Sequence, residues 1–93
     1  QLSHISEQIG QLTNLTYLGL SENQLSDIPS TLDKLSNLTE LYLNKNQISQ
    51  IPDALGKLEN LSVLFVWGNQ ISELPETLLI LKKFISPNFL KIF

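Results

Sequence analysis

Residues 38–60 read LTELYLNKNQISQIPDALGKLEN, and the same pattern stands on either side of them. Residues 15–37 are LTYLGLSENQLSDIPSTLDKLSN and residues 61–83 are LSVLFVWGNQISELPETLLILKK. Pro29, Pro52 and Pro75 are 23 apart, as are Asn23, Asn46 and Asn69, and again Asn14, Asn37 and Asn60. The shared pattern is LxxLxLxxNx[LI]SxxPxxLxxLxx, with Val66 in place of one leucine. So many slots aligned in three copies are not a coincidence; a fixed period of this size marks a stacked-repeat architecture.

Working outward, the register makes Leu2, Ile5, Ile9, Leu12 and Asn14 the second half of an earlier copy, without its proline and its strand. Forward, it asks for apolar residues at 84, 87 and 89 and asparagine at 92, where the chain has Phe84, Pro87, Phe89 and Ile92. The division is therefore one domain over 1–93: a partial repeat at 1–14, full repeats at 15–37, 38–60 and 61–83, and a degenerate repeat or C-terminal cap at 84–93.

Each copy contains two periodicities. Around Leu18, Leu41 and Leu64 the alternation has period two, which turns these leucines to one face of a strand and their neighbours to the other. The PxxLxxL that follows has helical spacing, and proline suits the first helical position, where its missing N–H would be unpaired anyway. Asp53 and Glu76 fall in that first turn, with Lys34, Lys57 and Lys82 near its end, the signs that complement a helix dipole. A strand with one short helix cannot bury its apolar face alone, so stability must come from stacking.

Over residues 2 to about 83 the chain resembles the leucine-rich repeat family. The 23-residue length and the NQIS-x-IP run are most similar to bacterial repeats of the Leptospira and Roco-protein kind. Plant-type repeats are one residue longer and carry a glycine after the LS pair, which is missing at Ser26–Asp27. The resemblance implies an α/β fold: a short curved solenoid with parallel strands on the concave face and short helices on the convex face. It also implies that Asn23, Asn46 and Asn69 form an inward ladder of amides bonded to the backbone of adjacent coils. A buried amide must find partners, so this reading is preferred to a polar binding stripe.

Composition removes much chemistry. Cysteine is absent, which excludes disulfide staples, thiolate metal sites and cysteine catalysis. His4 is the one histidine and sits in the variable polar slot of Asp27, Gln50 and Glu73, so it reads as a solvated side chain. The sequence carries no phosphate loop, HExxH or GxSxG, and its nine carboxylates form no recognisable paired acid–base arrangement. We therefore expect no enzyme activity, no cofactor and no metal site. Six lysines without an arginine, at net charge −3, argue against nucleic acid. No run of 18 apolar residues spans a bilayer. The start at Gln1 has no signal-like character and reads as the beginning of a piece of a longer chain.

The outward concave slots implied by the family's layout are the third, fifth, seventh and eighth of each copy. They hold Tyr17, Gly19, Ser21 and Glu22; then Glu40, Tyr42, Asn44 and Lys45; then Val63, Phe65, Trp67 and Gly68. Large aromatics in slots that normally carry polar residues are typical of interface anchors. The expected partner-binding set is Tyr17, Tyr42, Phe65 and Trp67, with Glu40 and Lys45 flanking; the alternative is that the rings only pack on one another across strands.

The leading expectation is a non-catalytic protein–protein interaction scaffold with an unknown protein partner on its concave sheet. A second is the repeat segment of a multidomain regulatory enzyme such as the Roco GTPases it resembles. A third is a membrane-surface adaptor: residues 1–81 carry −6 and the last twelve +3, with Lys82, Lys83 and Lys91 among Phe84, Ile85, Phe89, Leu90, Ile92 and Phe93. Capping is preferred for that tail, and membrane binding is not expected. The half coil leaves a strand edge open, which favours an end-to-end homo-oligomer. Three N-glycosylation patterns at Asn14, Asn37 and Asn60 are by-products of one repeated design, so the cytoplasm is expected and secretion is the alternative.

Overall fold

The computed structural model describes residues 2–80, 91 and 92. Strands β1 (Tyr17–Gly19), β2 (Glu40–Tyr42), β3 (Val63–Phe65) and β4 (Lys91–Ile92) form one parallel sheet in chain order. Leu18, Leu41 and Leu64 lie side by side in register, so each step from β1 to β3 is one repeat. Parallel strands need a crossover of a dozen or more residues, and the repeat length supplies it. The back of the solenoid consists of 3₁₀ turns at Glu7–Gln11, Ser30–Lys34 and Asp53–Lys57, followed by a five-residue helix α1 (Glu76–Ile80).

The short helical turns that the sequence spacing suggests are present at the back, most of them 3₁₀ helices, and the reason is the spacing of the apolar anchors. Leu32 and Leu35, like Leu55 and Leu58, are three residues apart and both fully buried. Side chains at i and i+3 eclipse on a 3₁₀ helix, so one short turn sends both into the core. The prolines also sit one position earlier than expected. Pro29 and Pro52 are extended N-cap residues, with φ of −69° and −68°, and their carbonyls accept the N–H of Leu32 and Leu55.

The core is a continuous leucine stack running through Leu25, Leu38, Leu41, Leu43, Leu61 and Leu64. Packing at the back is matched in size between coils. Gly56 faces Thr77 of the next coil so closely that any Cβ there would collide with the Thr77 side chain. Thr77 Oγ1 then donates to the carbonyl of Asp53 at 2.9 Å, and Thr31 Oγ1 likewise to Glu7 at 2.8 Å.

The tail departs from the period. The repeat register would place residue 87 beside Leu64, yet Ile92 pairs there, 28 residues after Leu64. Lys91 pairs with Val63, and Ile92 packs partly buried against the core. The expectations for residues 84–90 and 93 lie outside the described residues, as do those for Lys82 and Lys83.

Candidate functional site

Two sets of side chains follow from this geometry, one inside the coil and one on the concave sheet. Inside, the chain leaves each strand and turns at Asn23, Asn46 and Asn69. Asn46 is buried; its Oδ1 accepts the N–H of Leu25 at 3.0 Å, and its Nδ2 donates to Leu20 and Leu43 carbonyls, both at 3.0 Å. Asn69 repeats the arrangement one coil on, with Ile48 N–H at 2.9 Å and the Leu43 and Val66 carbonyls at 2.9 Å. Asn23 accepts from Leu2 N–H at 2.9 Å and donates to Leu20. These bonds reach the preceding coil and the residue's own coil, so the ladder runs in one direction.

A second ladder escaped the sequence reading. Asn37 Nδ2 donates to Thr13 at 3.0 Å and Asn60 Nδ2 to Ser36 at 2.7 Å. The hydroxyls of Thr39 and Ser62, two residues further on, donate to Thr16 and Thr39 carbonyls. The glycosylation pattern at 37 and 60 is thus a stitch between coils. The recurrence of Asn and of Thr or Ser at a 23-residue interval was the available signal.

On the concave sheet, the rings of Tyr17, Tyr42 and Phe65 form a row. Tyr17 and Tyr42 are 5.3 Å apart between centroids and tilted by 42°; Tyr42 and Phe65 are 4.9 Å apart and edge-on at 76°. Tyr17 occupies the third slot, not the fifth, and reaches the row by leaning over Gly19, whose missing side chain leaves room for the phenol. The cross-strand packing reading and the exposed-surface reading therefore hold at once: the rings touch, and Tyr17 remains 57% exposed.

Trp67 stands outside that row. It is 47% exposed, and the Lys45 ammonium sits 5.3 Å from its ring centroid, a cation–π distance. The same ammonium lies 3.4 Å from a Glu22 carboxylate oxygen. Glu40 is committed to the row, since its Oε1 accepts the Tyr42 hydroxyl at 2.6 Å. That hydrogen bond, followed by desolvation, raises the Tyr42 hydroxyl above its ordinary value of 10.0.

Two features of this face differ from the sequence reading or were absent from it. Asn44, expected to point outward, is only 8% exposed and accepts from Ser21 Oγ at 2.7 Å, so the seventh slot of β2's coil closes onto its neighbour. The eighth slot is left-handed in every full copy: φ is 59° at Glu22, 60° at Lys45 and 75° at Gly68. Glycine at 68 was the only hint in the sequence, because glycine alone enters that region without steric cost. Among the described residues, no group of three or more His, Cys, Asp or Glu could hold a metal ion, and no helix is long and apolar enough to cross a membrane.

A coil of short parallel strands, back turns and an inward asparagine ladder defines a repeat solenoid, and the comparisons name its class. A leucine rich repeat family model matches residues 1–48 and 13–71. The chain belongs to the leucine-rich repeat family. A solved leucine-rich repeat protein of Leptospira interrogans superposes with a TM-score of 0.81 at 32% identity, covering 98% of this chain. The match spans 22% of the Leptospira chain. No curated protein matches. Leucine-rich repeat folds generally mediate protein–protein interaction and are generally non-catalytic.

Proposed function

We propose that this chain is a non-catalytic protein-interaction module that takes its partner on the concave sheet through Tyr17, Tyr42, Phe65 and Trp67. One observation carries the reading: Tyr17 and Trp67 keep about half of their surface exposed on a face where the intervening rings are already in mutual contact. Large rigid aromatics with low conformational freedom make effective anchors. Glu40 and Lys45 flank them; Glu40 orients Tyr42, and Lys45 is held between Glu22 and Trp67. Charges so placed act on orientation and encounter rate more than on affinity.

The test uses wild type and Trp67→Ala as paired baits, with captured proteins quantified and then titrated. Trp67→Ala weakens the leading partner by about 2 kcal/mol or more, while the thermal midpoint changes little because the indole points away from the core. Unchanged capture with a lowered midpoint overturns the reading and makes the indole a packing element.

A further inference from the structure

Given that the concave face is where a partner docks, we infer that the docked element is a proline-rich segment in polyproline II conformation. It lies across the strands on Tyr17, Tyr42 and Phe65, with Trp67 holding one of its carbonyls. The width of the apolar strip comes first. On β1 and β2 the ring row is one side chain wide: Glu40 borders it on one side, and Ser21 and Asn44, joined at 2.7 Å, border it on the other. An α-helix is about 10–12 Å across with its side chains and would press on both polar borders. A polyproline II rod is slimmer and repeats an apolar edge at every third residue.

Spacing is the second match. Residues i and i+3 of such a rod stand about 9.3 Å apart, from three residues per turn at about 3.1 Å each. Strands β1 and β3 are separated by two strand spacings, about 9.6 Å, and the ring centroids step 5.3 and 4.9 Å across that distance. Prolines three apart therefore come down on Tyr17 and Phe65 while the pair between them crosses Tyr42. The rings meet at 42° and 76° rather than flat, so the row has notches that a rigid pyrrolidine can enter.

Hydrogen bonding separates this occupant from other apolar ones. A polyproline II segment makes no internal hydrogen bonds, so its carbonyls accept from a donor beside the rings. Among the described residues, the Trp67 Nε1–H has no partner, and the indole is 47% exposed two residues beyond Phe65. An indole nitrogen donates and never accepts, which suits a chain whose prolines have carbonyls but no N–H. Such a segment is also extended before it docks, so it loses little conformational freedom on a narrow contact. Charge adds a preference. Lys45 is held by Glu22 and Trp67, and Glu40 keeps one carboxylate oxygen beyond the Tyr42 bond. A lysine or arginine flanking the prolines therefore meets an uncompensated acid.

The chain has one tryptophan, so its indole N–H gives a single resonance. The isotope-labelled protein is titrated to millimolar levels with an oligoproline peptide ending in lysine, and in parallel with a glycine–serine peptide of the same length and charge. Oligoproline should move the indole resonance and the amides of residues 17–19, 40–42 and 63–65 in one saturable transition, and the control should not. Trp67→Phe keeps a ring but loses the N–H, and should weaken binding about threefold to tenfold, the worth of one hydrogen bond. Equal responses to the two peptides, or undiminished binding by Trp67→Phe, overturn the inference; the wild-type comparison needs no variant to fold. A spectrum unmoved by oligoproline, beside a captured partner that Trp67→Ala does release, overturns this occupant and leaves the concave site to a helix or another extended chain. Capture that Trp67→Ala does not weaken overturns the site itself.

Discussion

Leu12 and Leu35 occupy the same slot of consecutive coils, and their surroundings differ completely. Leu35 is fully buried, whereas Leu12 is 52% exposed. The contrast extends along the coil: Leu2, Ile5 and Ile9 are exposed or half-buried where Leu25, Ile28 and Leu32 are buried. In a stacked repeat, burial is therefore conferred by the neighbouring coil and not by the residue or its local conformation. Among the described residues, the two coils are the same design read with and without a preceding neighbour.

The largest expected effect tests that statement directly. At micromolar protein, Leu35→Ala should lower the unfolding free energy by about 2–5 kcal/mol, the usual range for emptying a filled leucine site. Leu12→Ala should change it by about 0.5 kcal/mol or less, as surface substitutions do. Equal losses in urea titration would mean that the first coil is covered.

Next in size is the asparagine pair. Asn46→Leu leaves the buried Leu25 N–H without its acceptor and removes one of two amide donors from the Leu20 and Leu43 carbonyls, which keep Asn23 and Asn69; a buried group left unpaired costs about 1–3 kcal/mol. Asn23→Leu should cost less, because the Leu2 N–H that it caps is exposed and can turn to water. A denaturation midpoint that Asn46→Leu does not move would remove the ladder from the list of stabilising elements.

Glycine substitutions sharpen the comparison further. Gly56→Ala forces Thr77 away from the 3₁₀ turn, and overpacking of this kind costs about 1–3 kcal/mol. Gly10→Ala meets the Thr31 carbonyl instead, and less closely than a Cβ at Gly56 would meet Thr77, so its loss should be smaller. Calorimetric midpoints for the two variants measure the difference.

The smallest effect is a pH dependence. The Tyr42 hydroxyl titrates above 10.0 in the folded protein because its proton is held by Glu40. Raising a folded-state value means that the native state binds the proton more tightly than the unfolded chain does. The contribution is thus complete below pH 10 and fades as pH rises through the folded value. Tyr42→Phe should abolish this component of the alkaline slope, and an unchanged slope would show that the Glu40 bond has no thermodynamic weight.

The period of 23 made the fold legible, since every buried leucine of the second and third coils recurs at that interval. What it could not specify was how side chains use empty slots. Tyr17 reaches the ring row only because Gly19 lies beside Tyr42 across the strand, a diagonal relation that a column-by-column alignment hides. Asn44 and Trp67 share a slot, yet one is buried and the other exposed, because Ser21 offers Asn44 a hydroxyl whereas Trp67 lies under Lys45. The tail was illegible for another reason: the strand pairing resumes five residues late, at Ile92, so the expected columns point to the wrong residues.

One feature of the back turns has a mechanical meaning. Threonine stitches the first junction through Glu7 and the third through Asp53, but the same slot in the middle holds Ala54, which has no hydroxyl to donate. That junction has instead an ion pair, Lys57 to Asp33 at 3.9 Å, with the lysine largely in solvent, a contact that contributes little and is screened by salt. The Asn60 bond to Ser36 still joins those two coils, so this junction differs from its neighbours by one hydroxyl bond and is the softer link between turns. Bending strain imposed on the molecule would concentrate between residues 30–34 and 53–57, and the concave sheet opposite would flex along the β1–β2 seam, where Tyr17 packs on Tyr42.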